Sequence, residues 1–112
     1  ITLSRMSIEK TFNGDLQAVS TGEMLAAMTP VTGSAGYVAI EQVSGVLGDL
    51  TGSFVLQHFG IMQAGEQRLI LEIVPDSGTE QFLGISGRLT IEISGEDHFY
   101  TLDFELGRQS GA

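Results

Sequence analysis

The chain has no cysteine, no tryptophan and only two prolines among its 112 residues. The lack of cysteine excludes a disulfide framework, a thiolate metal site and a cysteine nucleophile. It fits the reducing cytoplasm, and some periplasmic proteins also lack cysteine. We therefore expect a cytoplasmic protein whose fold is held by its hydrophobic core alone.

Positive charge is also scarce, because five lysine and arginine residues face fourteen aspartates and glutamates, which gives a net charge of −9. An acidic surface repels phosphate backbones and anionic membranes. No apolar run approaches the roughly 20 residues of a membrane span. We expect neither nucleic acid nor a membrane among the partners.

What the chain has in quantity is glycine, fifteen residues spaced almost evenly. Each glycine inside a helix costs about 1 kcal/mol relative to alanine, whereas twisted or bulged strands accommodate it. The segments between the glycines are rich in Val, Ile, Leu, Phe and Thr, which favour strands. Asn13-Gly14-Asp15 is typical of a hairpin turn, and Pro75-Asp76-Ser77-Gly78 of a loop turn. The sequence predicts one all-β domain over residues 1–112.

Seven strands are predicted, at about 3–12, 16 into 24–28, 35–47, 52–62, 67–74, 82–93 and 99–106. The end of the second is ambiguous, because residues 23–28 also have helical propensity. Residues 107–112 are expected to form a flexible tail.

Two of these strands, 54–62 and 69–74, are apolar on both faces, whereas an open sheet with one wet face shows cleaner alternation. Either a helix or another subunit must cover the outer face. No amphipathic helix is predicted, so we expect a homo-oligomer. Closure into an antiparallel β-barrel of seven to eight strands would remove the exposed sheet edges.

The chain resembles a family of small bacterial proteins catalogued as a domain of unknown function. The shared motifs, between residues 10 and 106, are Lys10-Thr-Phe-Asn-Gly-Asp-Leu16, Ile40-Glu-Gln-Val-Ser-Gly45, Gly52-Ser-Phe-Val-Leu-Gln-His58, Val74-Pro-Asp-Ser-Gly-Thr79, Leu83-Gly-Ile-Ser-Gly87 and Tyr100-Thr-Leu-Asp-Phe104. The resemblance implies an antiparallel β-barrel similar to allene oxide cyclase and dirigent proteins, and we expect its architecture to be lipocalin-like as well. It implies no activity. Members of that family usually carry a leading strand of about twenty residues before the segment that begins here at Ile1, and an eight-strand barrel needs that strand to close. The sequence is then trimmed, the barrel is open on one side, or a partner supplies the strand, and we favour trimming. The cyclase cavity uses a cysteine that this chain lacks, so its mechanism cannot be transferred.

Two residues are candidates for chemistry. Glu41 shares a strand face with Tyr37, Ala39 and Val43, and a carboxylate in an apolar cavity is a plausible acid or base. His58 follows Phe54 and Leu56 on one face, and imidazole titrates near neutral pH. The alternatives are a glutamate on a solvated face and a hydrogen-bonded structural histidine. His98, in a polar turn, is a weaker candidate.

The leading functional prediction is an interior site for a small hydrophobic ligand. Its expected lining is Tyr37, Glu41, Phe54, Leu56, His58 and Tyr100. An isomerase or cyclase acting on an apolar substrate is the first alternative, with Glu41 or His58 moving a proton. A structural homo-oligomer without catalysis is the second. The pattern of histidines and carboxylates predicts no metal site, and no cofactor is expected.

Overall fold

The computed structural model describes residues 1–94 and 97–107, with the backbone only at residues 93, 94, 97 and 98. It contains seven strands and one short 3₁₀ helix, Glu80–Phe82, within these ranges. The strands are β1 (Thr2–Phe12), β2 (Leu16–Met28), β3 (Ala35–Leu47), β4 (Leu50–Gln63), β5 (Glu66–Ile73), β6 (Ile85–Ser94) and β7 (Asp97–Leu106). The predicted all-β class and number of strands are confirmed.

The strands form one antiparallel sheet in chain order, so that each pairs with its sequence neighbours. The ambiguous segment at the end of β2 is a strand, because Met24–Met28 continues the ladder opposite Ala35–Ala39. The sixth strand begins at Ile85 and not at residue 82 as predicted, because Phe82 belongs to the 3₁₀ helix. Of the predicted tail, only Gly107 lies within the described residues.

The β4–β5 hairpin turns through Ala64 and Gly65, which have φ values of 52° and 80°. Positive φ at both central residues is the signature of the two-residue turn that matches the twist of paired strands. Glycine adopts this conformation freely, whereas alanine does so at a cost of about 1 kcal/mol. The turn therefore fixes the register of β4 and β5 with a strained residue in its first position.

Alternate residues of each strand point to one face, which we call the inner face, and this face contains the core. The buried apolar residues include Phe54 and Leu56 on β4, Leu71 on β5 and Leu89 on β6. The pairing of β5 with β6 is short, covering Leu71 with Leu89 and Glu72 with Arg88. Beyond this narrow junction the sheet curls, and the ring of Phe12 on β1 meets Tyr100 on β7 edge-on, with centroids 5.5 Å apart.

The curled sheet is not closed into a barrel by hydrogen bonds. Among the described residues β1 pairs with β2 alone and β7 pairs with β6 alone. One edge of β4 is instead occupied by the segment that links β5 to β6. The amides of Val55 and Ser53 donate to the side-chain oxygens of Ser77 and Thr79, and Phe82 packs edge-on against Phe54. This segment closes one end of the core.

Candidate functional site

A polar cluster occupies the inner face of β1–β4 among the apolar core residues. Glu41 lies on β3 at register positions opposite Gly22 of β2 and Leu56 of β4. Its polar neighbours come from the diagonal positions, Ser20 on β2 and His58 on β4. Gly22 lets the backbones of β2 and β3 approach closely beside this cluster, because an added Cβ atom there would clash with the backbone of Ile40 and Glu41.

Both oxygens of the Glu41 carboxylate are hydrogen-bonded. Oε2 accepts a 2.5 Å hydrogen bond from the hydroxyl of Ser20, and Oε1 lies 2.6 Å from Nε2 of His58. The ammonium of Lys10, on β1, is 3.6 Å from Oε1. Glu41, Ser20 and His58 are all buried, with Glu41 fully inaccessible. A buried charge is tolerated only when it is paired and hydrogen-bonded, as it is here.

These contacts keep the Glu41 carboxyl ionised. Burial raises its pKa, but the hydrogen bonds from His58 and Ser20, together with the charges of Lys10 and His58, outweigh burial and leave the pKa below its usual range. Two opposing effects thus act on one group, and the contacts that favour the charged form prevail. Glu41 is therefore a carboxylate that accepts hydrogen bonds.

Tyr37 borders the cluster on β3. Burial and the negative charge of Glu41 raise the pKa of its phenol. Its ring lies over Gly60 and is tilted 57° to the His58 ring at a centroid distance of 6.3 Å. Tyr37 thus lies beside His58 on the side nearer the β4–β5 turn.

The geometry limits what the cluster can do chemically. The Ser20 hydroxyl donates its hydrogen bond to Glu41 and has none with His58, so the three residues lack the base–hydroxyl contact of a nucleophilic triad. Among the described residues, no buried side-chain nitrogen or oxygen lacks a hydrogen-bond partner. The same residues contain no group of three or more histidines and carboxylates that could hold a metal ion. The cluster is complete as an internal ion-pair network.

A groove of about 530 Å³ lies between β7 and the end of the β1–β2 hairpin. Four of the eight aromatic residues of the chain line it, together with four leucines. The aromatic residues are Phe12, Phe99, Tyr100 and Phe104, and the leucines are Leu16, Leu47, Leu89 and Leu102. Asn13, Asp15 and Thr101 are the polar residues at its walls. The volume falls within the range of small-molecule sites, about 300–1,000 Å³.

Phe12 separates this groove from the polar cluster. Phe12 follows Lys10 on the inner face of β1, two residues further along the strand. Its cross-strand partner Ala18 is likewise two residues from Ser20 on β2. Same-face neighbours on a strand are about 7 Å apart. The groove and the cluster are thus adjacent, with the Phe12 ring as the wall between them.

The predicted site residues divide between these two places. Glu41 and His58 come together on the inner face, with Tyr37 beside them, whereas Phe54 and Leu56 are buried core residues. Of the six predicted ligand-binding residues, Tyr100 alone lines the groove. The side chain of His98 lies outside the described residues. Sequence reasoning missed Ser20 and Lys10, although a lysine alternating with Ile8 and Phe12 on one strand face was a signal for an inward charge.

No helix in the described ranges is long and apolar enough to cross a membrane. No curated protein matches the chain. A similar solved structure is the 1.84 Å crystal structure of a protein of unknown function from the DUF3224 family of Shewanella oneidensis MR-1. The two chains are 56% identical, the match covers 95% of this chain and 79% of that chain, and the TM-score is 0.92. The model of the same family, described as a protein of unknown function, matches residues 1–104. This chain therefore belongs to the DUF3224 family.

Proposed function

We propose that the protein binds a small apolar ligand in the groove between β7 and the β1–β2 hairpin. The observation that carries this proposal is the concentration of half the aromatic residues of the chain around one cavity of about 530 Å³. Aromatic rings provide large apolar contact areas at fixed geometry. Tyr100 and Phe104, which are 43% and 37% exposed, are available to a ligand.

The polar residues at the walls define the ligand class further. Asp15 lies beside Asn13 at the hairpin turn, and the chain as a whole carries a net charge of −9. A negatively charged head group would meet a carboxylate and an acidic surface. The ligand is therefore an apolar molecule whose polar end is neutral or cationic and bonds to Asn13, Asp15 or Thr101.

We also propose that the curled sheet forms a closed barrel similar to those of allene oxide cyclase and the lipocalins. The contact of Phe12 with Tyr100 supports it, because residues of the first and last strands already meet across the interior. The cytoplasmic location is likewise part of the proposal and rests on the absence of cysteine.

Titration with an apolar dye tests the binding site. We expect Nile red, which is uncharged, to bind with enhanced fluorescence, and the anionic anilinonaphthalene sulfonate to bind at least about tenfold more weakly. Leu47→Trp fills the groove and should abolish Nile red binding. Val46→Trp is the matched control, since Val46 precedes Leu47 on β3 but lies on the outer face. Equal binding by both variants would refute the groove as the site.

An isomerase or cyclase is the second candidate, because Glu41 and His58 share a hydrogen bond on the inner face of the sheet. This cluster is next to the groove, with Phe12 between them. A substrate could reach them only if Phe12 moved. The test is to incubate a molecule that binds in the groove with the protein and then to recover and analyse that molecule. An isomerised product with wild type but not with Glu41→Gln would support catalysis, whereas an unchanged ligand would leave binding alone.

A further inference from the structure

The junction between β5 and β6 leaves two strand edges facing each other without pairing. The two strands pair only over residues 71–72 and 88–89. Beyond this junction, residues 66–70 of β5 and 90–94 of β6 are joined by no ladder in the described structure, and we call these two segments the β5–β6 fork. A notch of about 190 Å³ lies between them. Each segment thus presents unpaired backbone N–H and C=O groups to the other.

The side chains of the fork match each other in the register that the junction sets. If the antiparallel ladder continued, it would place Leu69 opposite Ile91 on the inner face and Arg68 opposite Glu92 on the outer face. Leu69 and Ile91 are half-buried and pack against the core, whereas Arg68 and Glu92 are exposed. Apolar pairs and opposite charges are the cross-strand contacts that stabilise a sheet. The free edge of β5 therefore fits β6 itself.

Beyond the junction, the hairpin of β6 and β7 contacts β1 on its other side. Tyr100 of β7 pairs with Ile91 of β6, and its ring meets that of Phe12 edge-on, with centroids 5.5 Å apart. β6 and β7 pair along their whole length, so the two strands move together. Because β5 and β1 lie on opposite sides of the hairpin, a shift that brings Ile91 to Leu69 carries Tyr100 away from Phe12. The hairpin can make one of these two contacts at a time.

The base of the hairpin is fixed in the core, whereas its distal half is packed loosely. Ile85 and Leu89 are 2% and 5% exposed, but Tyr100 is 43% exposed. Gly87, directly before the junction, has a φ of 148°, which glycine adopts readily, and a glycine inside a strand often marks a bend. Few buried contacts and a small residue at the boundary are features of hinged segments. The junction is thus suited to act as a pivot.

We propose that the distal half of the hairpin, residues 90–94 and 97–101, is a flap that moves between two positions. In the position of this structure, Tyr100 contacts Phe12, the fork is unpaired and the groove is formed. In the other position the fork is paired, Arg68 bonds to Glu92, and the wall that Tyr100 gives the groove is withdrawn. The effect of the flap on binding rests on the proposed function. A ligand in the groove stabilises the first position, and pairing of the fork releases the ligand.

Cross-linking across the fork tests the movement, since the chain has no cysteine of its own that could interfere. Arg68→Cys/Glu92→Cys should form an internal disulfide with oxidised glutathione, because pairing brings the two Cα atoms within the roughly 7 Å that a disulfide requires. Arg68→Cys/Glu105→Cys is the matched control. Glu105 is also exposed but lies at the base of the hairpin, opposite Ser86, so this variant should keep both thiols in dilute solution. Circular dichroism of each variant establishes that the fold is retained.

Dye binding tests the coupling between the fork and the groove. Oxidised Arg68→Cys/Glu92→Cys should bind Nile red at least about tenfold more weakly than the same chain after reduction, because the locked fork keeps Tyr100 away from Phe12. Excess Nile red should in turn slow formation of the disulfide, since coupling between two sites is reciprocal. The reduced variant and the control variant should bind the dye as wild type does.

Failure of the flap and failure of the groove give different results. A variant Arg68→Cys/Glu92→Cys that keeps both thiols, or an oxidised form that binds Nile red as tightly as the reduced form, would overturn the flap. A wild type that does not bind Nile red would overturn the groove, and with it the coupling. Formation of the disulfide would then still decide whether the fork pairs.

Discussion

His58 and Glu41 are joined by a 2.6 Å contact although they are not cross-strand partners, since His58 pairs with Ala39 and Glu41 pairs with Leu56. The contact runs diagonally across the inner face of β3 and β4. With Ser20 and Lys10 it ties four strands together around one carboxylate. The cluster thus links β1, β2, β3 and β4 on the inner face of the sheet and contributes to stability.

Replacement of Glu41 by glutamine should destabilise the protein by about 3 kcal/mol, because it leaves His58 and Lys10 without the charge they face. Urea unfolding measures the change. Glu9→Gln is the control, since Glu9 is exposed on the outer face of β1, and it should change the unfolding free energy by less than about 0.5 kcal/mol. Equal effects of the two substitutions would contradict the role of the cluster.

The stability of wild type should fall in acid. The pKa of Glu41 is lowered in the folded protein, so its contribution is present above the pKa of the unfolded chain, about 4.3. It is lost as the pH falls through the folded pKa, because protonation then removes the charge that the cluster stabilises. Unfolding free energies measured between about pH 5 and pH 3 should decline more steeply for wild type than for Glu41→Gln. Parallel curves would show that Glu41 is not the responsible group.

Gly60→Ala should destabilise the protein by about 1–3 kcal/mol, the usual effect of overpacking. A Cβ atom at residue 60 would lie 2.2 Å from Cε1 of Tyr37, so the ring must move. In the Tyr37→Ala background the same substitution should cost much less, which a double-mutant cycle measures. Gly14→Ala is the control, since nothing lies within 4 Å of an added Cβ there. Additive effects of the two substitutions would contradict the contact.

Ala64→Asn should stabilise the protein by about 0.5–1 kcal/mol, because asparagine tolerates the φ of 52° that alanine adopts at a cost. The variant also creates Asn-Gly, the preferred pair for this hairpin turn. The thermal unfolding midpoint should rise by several degrees. A lower midpoint would mean that the strain at residue 64 is not what limits the turn.

Much of the fold follows from local patterns in the sequence. Asn13-Gly14 at a turn and alternation in the strands were sufficient to place β1 to β5. Alternation with period 2 also assigned Glu41 and His58 each to the face of its apolar neighbours, but it left open whether that face points inward. These inferences need no knowledge of which strands pair.

The remaining features depend on contacts between distant segments. Ser20 joins Glu41 only through the register of β2 and β3. Phe82 continues a strand-like pattern, but packing against Phe54 places it in a 3₁₀ helix. The groove depends on how far β7 curls toward Phe12, which no local pattern encodes. For these reasons the cluster was predicted in part, and of the groove only Tyr100.

Native mass spectrometry of wild type and Leu47→Trp, both purified from the protein's own host, tests the central claim most directly. We predict that wild type carries a discrete small molecule that leaves on denaturation, that this molecule is apolar and not anionic, and that Leu47→Trp lacks it. A wild-type protein that is bare, or a bound molecule retained equally by Leu47→Trp, would contradict ligand binding in the groove.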